Sequence, residues 1–402
     1  MSYEQPYAGL KVIDLSQGVA GPYCAMLLAQ YGADVIKVEP PEGGDWSRGL
    51  GVKYGDQTAY SIPVNLGKRS IALDLKSDDG RAVLWRLIAG ADVFLQGFRP
   101  GVIERLGFGY ATVAEREPRL IYVSISGFGP NGPLAERPAM DPVLQAFTGL
   151  IAENIGEDGV PHRIPIIAID MTTALYAFNA VAAALYARRD ARHGRLIEAS
   201  LLQAAAGLQV VRMMQQYLEA GALRPPAGPS GVYQAADGWI SVTVPRQHEW
   251  LAFCDAMGLP QLADDPRFAL QEGRVENADA MRTLLRPVFA AASVAHWSER
   301  LAARKVMHER LNTYADFLAH PHTAASGAIA WVDHPAVPQK MPLPNLIGIV
   351  PFGTGEVRAA APALGQHSAE ILREHGFAER DIADLIARRI IGLPVVRPSE
   401  MP

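Results

Sequence analysis

Asp170 is the residue whose type and position best suit covalent chemistry. It stands between an apolar run that predicts a buried strand, residues 164–169, and an alanine-rich stretch that predicts a helix, residues 171–189. A carboxylate at a helix N-terminus meets backbone N–H groups without intrahelical partners, and the helix dipole favours its charge. We therefore expect a low pKa and an ionised side chain that can act as a nucleophile. The alternative is that Asp170 only caps the helix, a common role of aspartate.

The segments around Asp170 alternate between strand and helix patterns. Strands are predicted at residues 10–15, 35–38, 70–75, 93–96, 121–126 and 196–199, and helices at residues 23–31, 78–89 and 201–221. Strands separated by helices indicate a parallel sheet covered by helices, so we predict a Rossmann-like α/β fold. The first turn, residues 17–21, lacks the GxGxxG pattern, which disfavours a nicotinamide enzyme.

The length of 402 residues predicts two domains. A run rich in proline and glycine, residues 223–231, marks a boundary. We predict that residues 1–222 form the N-terminal part of the large domain and residues 223–325 a smaller α/β domain. Residues 326–402 would return to complete the large domain.

The composition excludes several classes of function. Hydrophobic residues make up 49% and charged residues 20%, as in ordinary globular proteins, and the net charge of −5 offers no footprint for nucleic acid. Cys24 and Cys254 form no metal pattern, and histidines are scattered, so no metal is expected. Without a charged leader or an uninterrupted apolar stretch of about 18 residues, we expect no membrane association and a cytoplasmic location.

Short motifs occur in a consistent order along nearly the whole chain. They are residues 20–22 (AGP), 32–39 (GADVIKVE), 44–45 (GD), 65–70 (NLGKRS), 98–101 (FRPG), 105–107 (RLG), 126–129 (SGFG), 132–133 (GP) and 362–367 (PALGQH). With these motifs the chain resembles the class III CoA-transferases, a family that includes carnitine and formyl-CoA transferases and α-methylacyl-CoA racemase. The resemblance implies an interlocked homodimer that acts on an acyl-CoA and a small carboxylic acid, with no tightly bound cofactor.

The resemblance also implies that Asp170 is the nucleophile, since it precedes the helix that leads to a basic run, residues 192–195 (RHGR). Attack on the thioester would give a mixed anhydride and CoA thiolate, and the thiolate would then form an aspartyl-CoA thioester. An ionised nucleophile needs no general base, which fits the lack of a Ser/His or Cys/His pattern. Backbone N–H groups of the Asp170 helix or of a glycine loop could stabilise the oxyanions.

CoA carries phosphates, so a chain of net negative charge needs arginine and lysine side chains in its loops. Lys68 and Arg69 are the preferred pair, and each candidate could instead form a salt bridge with acids such as Glu39. Small residues in the first turn would let CoA approach the backbone, or would serve only close packing. The predicted CoA contacts are Gly18, Val19, Ala20, Lys37, Lys68, Arg69, Leu73, Lys76, Gly97, Phe98, Arg99 and Arg105.

The chain departs from the family pattern in three places. Met140 stands where the racemase branch has its histidine, and because methionine cannot move a proton, transfer is favoured over racemisation. The loop at residues 227–231 (AGPSG) is shorter than the polyglycine loop of some transferases. His308 and Glu309 are either a substrate-specific polar pair or solvated charges at a helix end. The predicted substrate contacts are Met140, Gly228, Ser230 and Gly231.

Two other functions stay open on the sequence. One is an acyl-CoA racemase or epimerase that pairs Asp170 with a histidine from elsewhere, such as His162. The other is a CoA-binding protein without chemistry. Three aromatic residues, Trp46, Tyr60 and Phe128, are expected either to wall an acyl pocket or to belong to the core.

Overall fold

The computed structural model describes residues 5–156, 159–221, 225, 227–353 and 355–394. The chain divides into two compact units, of which the first comprises Met1–Val210 with Ser326–Pro402 and the second Val211–Ala325. The domain boundary predicted between residues 222 and 223 lies outside the described residues.

The first 210 residues supply most of the first unit. The strands are β1 (Lys11–Asp14), β2 (Asp34–Glu39), β3 (Lys53–Tyr54), β4 (Gln57–Thr58), β5 (Arg69–Leu73), β6 (Val93–Gln96), β7 (Ile121–Ser126) and β8 (Arg195–Ser200). The helices are α1 (Ala20–Gln30), α2 (Asp78–Ile88), α3 (Val102–Arg105), α4 (Tyr110–Arg116), α5 (Asp141–Phe147), α6 (Leu150–Glu153), α7 (Ala168–Ala187) and α8 (Leu201–Leu208), with a 3₁₀-helix at Trp46–Gly49. The strands predicted from the sequence at these positions are confirmed, with ends that shift by one or two residues.

The second unit packs helices on a small antiparallel sheet. Its elements are α9 (Val210–Leu218), β9 (Ser230–Ala235), β10 (Gly238–Thr243), α10 (Gln247–Met257), α11 (Gln271–Glu276), α12 (Ala278–Ala290), α13 (Val294–Ala303), β11 (Met307–Arg310), α14 (Tyr314–Ala319) and α15 (Pro321–Ser326), with a 3₁₀-helix at Pro260–Ala263. Strand β10 pairs with both β9 and β11. His308 and Glu309 therefore lie on a strand, and their interpretation as helix-end charges is wrong.

The C-terminal segment returns to the first unit. It contains β12 (Ile329–His334), β13 (Val337–Pro344), a 3₁₀-helix at Val357–Ala359, α16 (Ser368–Glu374), α17 (Glu379–Ala387) and β14 (Ile391–Gly392). Strands β12 and β13 form a hairpin, and β14 pairs antiparallel with β5 at the edge of the main sheet.

The main sheet has the strand order β14-β5-β2-β1-β6-β7-β8 in the described part of the chain, and every pairing except β14 with β5 is parallel. Its inner strands are nearly continuous runs of buried residues because helices cover both faces. Val12 packs on one face with residues of α1 and α7, whereas Ile13 packs on the other with residues of α2, α16 and α17. The predicted α/β fold with a parallel sheet is confirmed.

Two local predictions around Asp170 are wrong. Residues 164–167 form no strand, because their backbone groups are held by the side chain of Gln145 instead of a neighbouring strand. The backbone N–H of Ile164 donates to Gln145 Oε1 at 3.1 Å, and Gln145 Nε2 donates to the carbonyl oxygens of Ile164 and Ile166 at 3.2 and 3.3 Å. Helix α7 starts three residues earlier than predicted, at Ala168.

Helix α7 is apolar on most of its surface. Among the described residues it is the one helix whose length and composition would also suit a membrane span. Its buried residues, however, pack in the core of the first unit, where Ala174, Ala177 and Val181 contact the group formed around Val12. The following predicted helix, residues 201–221, is interrupted at Gln209 and forms α8 and α9.

Candidate active site

A cavity of about 490 Å³, the first cavity, lies at the carboxyl edge of the parallel sheet. The turn after β1 contributes Ser16 and Gln17, the turn after β6 contributes Gly97 and Phe98, and α7 contributes Asp170. Turns that follow parallel strands meet at one edge, which is where ligands bind in open α/β sheets. The volume falls within the range of small-molecule sites.

The first cavity brings together seven of the residues predicted to form the site. They are Val19, Ala20, Gly97, Phe98, Arg99, Met140 and Asp170. Two more, Leu73 and Lys76, line a narrow cavity of about 200 Å³ that shares Gln17 and Phe98 with the first. Three others, Gly228, Ser230 and Gly231, belong to the second unit, where Ser230 begins β9.

A second cavity, of about 350 Å³, meets the first at Asp170. The two cavities also share Val19, Trp46 and Met140. Tyr60 lines the second cavity, so Trp46 and Tyr60 wall a cavity as expected, whereas Phe128 does not. Phe128 is buried in the core, edge-on to Phe147, as its alternative interpretation stated.

Asp141 caps helix α7, and sequence reasoning missed this role. Its Oδ2 accepts hydrogen bonds from the backbone N–H groups of Ile169 at 2.7 Å and of Asp170 at 3.2 Å, and its Oδ1 accepts from Gln145 Nε2 at 2.6 Å. Asp141 is buried and begins α5, 29 residues before Asp170. An aspartate just before a proline, here Pro142, was a signal for a turn or helix start, but nothing in the spacing pointed to α7.

Asp170 is therefore left with a free carboxylate. It is the third residue of α7, not its N-cap, and among the described residues no group donates a hydrogen bond to its side chain. The interpretation of Asp170 as a helix cap is wrong, because Asp141 occupies that role. The N–H groups of Ile169 and Asp170, considered as oxyanion donors, are also taken by Asp141.

The expectation of a low pKa for Asp170 is wrong as well. Burial, followed by the negative charge of Asp141, raises the pKa of Asp170 to about 7. Asp141 already places its negative charge at the N-terminus of the helix. Asp170 is instead desolvated and experiences the like charge of Asp141. Both protonation states of Asp170 are consequently populated near neutral pH, and its ionised oxygens are available for attack.

Lys37 and Lys68 do not line the first cavity, because both ammonium groups are buried and paired. Lys68 Nζ donates to Asp14 Oδ2, to the carbonyl oxygen of Pro22 and to Asn65 Oδ1, each at 2.8 Å. Lys37 Nζ donates to Asp45 Oδ2 at 2.8 Å. This placement speaks against the prediction that they bind phosphate.

Arg69, the other member of the preferred pair, also has carboxylate partners. Its guanidinium binds Asp34 at 2.7 Å, Glu374 at 2.7 Å and Glu370 at 3.2 Å. It lines a separate cavity, together with His334 and other residues, that includes neither Asp170 nor Phe98. The structure therefore does not bring Lys68 and Arg69 to the candidate site.

Other arginines are better placed for an anion. Arg99 and Arg137 line the first cavity, and within the described ranges neither has a carboxylate partner. The guanidinium of Arg137 lies 5.7 Å from the centre of the Phe128 ring. Arg105, on α3, is exposed and likewise forms no ion pair with any residue that the structure describes. Sequence reasoning missed Arg137, although it stands in the stretch that was compared with the racemase pattern.

Buried charges hold the first turn in place. The backbone N–H of Ser16 donates to Asp14 Oδ1, and that of Gly18 donates to Asp45 Oδ1, both at 2.9 Å. Gly18 has a φ of +81°, and a Cβ at this position would lie 2.2 Å from Cζ2 of Trp46. The glycine thus makes room for the indole that walls both cavities, which supports the alternative that it serves close packing.

No histidine lines the first or the second cavity among the described residues. His162, considered as a proton-transfer partner for Asp170, lines neither. Met140 lies between the cavities in the position compared with the racemase histidine. The described lining of the two cavities therefore offers no histidine as an acid/base partner for Asp170.

The chain is similar in sequence to known proteins over most of its length. Residues 7–368 match the family described as CoA-transferase family III. The chain is 35% identical over 381 residues to the acetyl-CoA:oxalate CoA-transferase of Acetobacter aceti, covering 93% of this chain and 97% of that protein. It is 30% identical over 401 residues to the succinyl-CoA:glutarate CoA-transferase of Homo sapiens, covering 97% and 91% respectively.

A solved structure shows the same architecture. The Mycobacterium tuberculosis protein Rv3272 in its orthorhombic crystal form superimposes with a TM-score of 0.80 at 29% identity, over 92% of this chain and 99% of that chain. The similarity extends over nearly the whole length of both chains.

We expect Lys68→Met to destabilise the protein rather than to weaken a ligand contact. The change leaves Asp14 and Asn65 without their buried partner, which should cost about 3–5 kcal/mol of unfolding free energy. Urea unfolding at neutral pH measures this loss. Arg105→Met, which removes an exposed cation, is the control and should stay within about 0.5 kcal/mol of the parent. A Lys68→Met protein that is as stable as the parent but binds acyl-CoA more weakly would instead support the prediction that Lys68 binds phosphate.

Because the pKa of Asp170 is raised, we expect Asp170→Asn to be more stable than the parent protein, by an amount that increases as the pH rises. Between about pH 4 and 7 the folded protein holds a proton on Asp170 that the unfolded chain has lost, so rising pH favours the unfolded chain and the parent loses stability across this range. The difference in unfolding free energy between variant and parent should therefore grow from pH 4 to 8 and then level off. Urea unfolding across this range checks the change.

Asp265→Asn provides the matched control for the pH series. A hydrogen bond from Arg267 lowers the pKa of Asp265, so its replacement should give a constant difference between pH 5 and 8. A constant difference for Asp170→Asn over the same interval would show that the Asp170 carboxyl is not perturbed.

Proposed function

The chain belongs to CoA-transferase family III, and we propose that Asp170 performs its reaction. The enzyme moves CoA between an acyl-CoA and a carboxylic acid, the activity for which its relatives are named. One observation carries the assignment of Asp170: among the described residues its carboxylate has no hydrogen-bond or ion-pair partner, and it borders two cavities at once, while Asp141 caps the helix.

The proposed reaction proceeds in four balanced steps. An Asp170 oxygen attacks the thioester carbon, the C–S bond breaks, and CoA leaves as a thiolate with the electron pair. The thiolate attacks Cγ of the mixed anhydride and releases the donor acid as a carboxylate, which leaves an aspartyl-CoA thioester. The acceptor carboxylate then attacks Cγ and displaces the thiolate, which gives a second mixed anhydride. The thiolate attacks the acceptor carbonyl carbon, the C–O bond to Asp170 breaks, and the new acyl-CoA and the Asp170 carboxylate are released. No proton has to move in any step.

The surroundings of Asp170 favour these intermediates. The anhydride and the thioester are both neutral at the side chain, whereas the ionised carboxylate is penalised by burial and by Asp141. Acylation therefore removes an unfavourable charge from the site. A carboxylate that accepted several hydrogen bonds would lose them on acylation, and Asp170 has none from described residues to lose.

CoA is proposed to occupy the first cavity and the narrow cavity beside it. Arg99, Arg105 and Arg137 are cations without carboxylate partners in the described structure, so they are suited to phosphate. Leu73 and Lys76 line the narrow cavity, whose other walls are mostly apolar and suit a flat ring such as adenine. This arrangement retains Leu73, Lys76, Arg99 and Arg105 from the sequence prediction, and Arg137 takes the place of Lys37, Lys68 and Arg69.

We further propose that two copies of the chain associate and that the enzyme works in the cytoplasm. Leu175 and Tyr176 on α7 are about half exposed, and on α9 the exposed fractions of Val211 and Tyr217 reach 80% and 82%. Exposed apolar side chains grouped on one helix are typical of association surfaces. The interlocked homodimer implied by the family resemblance would cover such surfaces.

Asp170 should become covalently modified during turnover. Incubation with an acyl-CoA should leave an adduct that hydroxylamine cleaves to a hydroxamate and borohydride reduces, both located by peptide mass spectrometry over residues 164–188. Asp170→Asn should form no adduct and lose about a thousandfold or more of the activity, because an amide cannot form the anhydride. Transfer within tenfold of the parent in this variant would rule out Asp170 as the nucleophile.

The chain should sediment as a dimer at micromolar concentration, with about twice the monomer mass of 43.4 kDa. Tyr217→Glu places a charge on the exposed face of α9 and should weaken association measurably by sedimentation equilibrium. Tyr314→Glu changes an exposed aromatic residue on α14 and serves as the control that should leave the dimer intact. A monomeric parent protein at the same concentration would contradict the proposal.

A further inference from the structure

The second cavity differs from the first in its charges. Its walls are largely apolar, and the charged residues among the described ones that line it are one cation, Arg163, and two acids, Asp141 and Asp170. The first cavity contains two arginines and the turns at the strand ends. Asp170 borders both, so a carbon bonded to its carboxylate has a cavity on each side. If CoA takes the first cavity, the acyl group or the acid takes the second.

Most polar groups of the second cavity are already engaged by the protein. Asp141 accepts hydrogen bonds at both carboxylate oxygens, and Gln145 bonds to Asp141 and to the backbone of Ile164 and Ile166. Two charged side chains remain without a partner within the described part of the chain, namely Asp170 and Arg163. One is the proposed nucleophile, so Arg163 is the group left to recognise a substrate.

The backbone around Arg163 is fixed relative to Asp170. The backbone of Ile164 forms two hydrogen bonds with the side chain of Gln145. Its N–H donates to Oε1 at 3.1 Å, and its carbonyl oxygen accepts from Nε2 at 3.2 Å. Gln145 in turn donates to Asp141, which caps the helix that carries Asp170. The same pair of buried side chains thus positions the nucleophile and the residue next to Arg163.

We propose that Arg163 binds the distal carboxylate of a dicarboxylic acid whose other carboxylate reacts at Asp170. A guanidinium presents two parallel N–H donors that match a carboxylate, and the apolar walls suit the carbon chain between the two acid groups. An acid with one carboxylate would leave these two N–H donors without a partner on the substrate. The inference rests on the proposed function of Asp170 and deepens it by naming the substrate class.

The experiment compares acids of equal chain length that differ only in the second carboxylate. Glutarate and pentanoate serve as acceptors for the parent enzyme and for Arg163→Gln, with the acyl-CoA that labels Asp170 most completely as the donor. The ratio of kcat/KM for glutarate over pentanoate should exceed ten in the parent and fall about 10- to 100-fold in the variant, mainly through the KM for glutarate. Arg163→Lys should recover part of the ratio.

Arg137→Gln is the matched control, since it removes a guanidinium from the first cavity. It should raise the KM for acyl-CoA and leave the ratio of glutarate to pentanoate within threefold of the parent value. A parent enzyme that uses pentanoate as well as glutarate, or an Arg163→Gln variant with an unchanged ratio, would overturn the inference. Failure of the proposed function would look different, because then Asp170 in the parent would carry no adduct with any acyl-CoA.

Discussion

The cap that Asp141 places on helix α7 is the interaction on which the site depends. Backbone N–H groups at a helix start need an acceptor, and a buried start without one is costly. Because Asp141 supplies that acceptor from α5, Asp170 does not have to. Its carboxylate is instead desolvated beside a like charge, and its pKa rises to about 7. One hydrogen-bonding arrangement thus separates the aspartate that caps the helix from the proposed nucleophile.

A buried network of charges positions the opposite wall of the first cavity. Lys37 and Lys68 lie in the interior between Asp14 and Asp45, and the two acids also accept hydrogen bonds from the turn that follows β1. Burying ions gains little stability, but removing one partner of such a set is expensive, so the arrangement enforces one geometry. Gly18 then admits the indole of Trp46 against this turn.

The cations of the first unit fall into two groups with different uses. Those with carboxylate partners, such as Lys68 and Arg69, hold segments of the fold together. Three arginines without a carboxylate partner in the described structure, Arg99, Arg137 and Arg163, line the cavities around Asp170. A protein of net negative charge that binds anionic substrates needs cations of the second group. The list of basic residues in the sequence does not distinguish the two groups.

The sequence by itself determined the α/β fold and the family, and it singled out Asp170 as the candidate nucleophile. Alternating strand and helix patterns follow from local periodicity, and the motifs around Asp170 keep their order along the chain, so both are readable without coordinates. The sequence did not show which side chains form hydrogen bonds or ion pairs with one another. Asp141 lies 29 residues from the helix that it caps, and Lys68 lies 54 residues from Asp14. Only the tertiary structure brings such groups within hydrogen-bonding distance, and it therefore decided the pKa of Asp170 and which cations face the cavities.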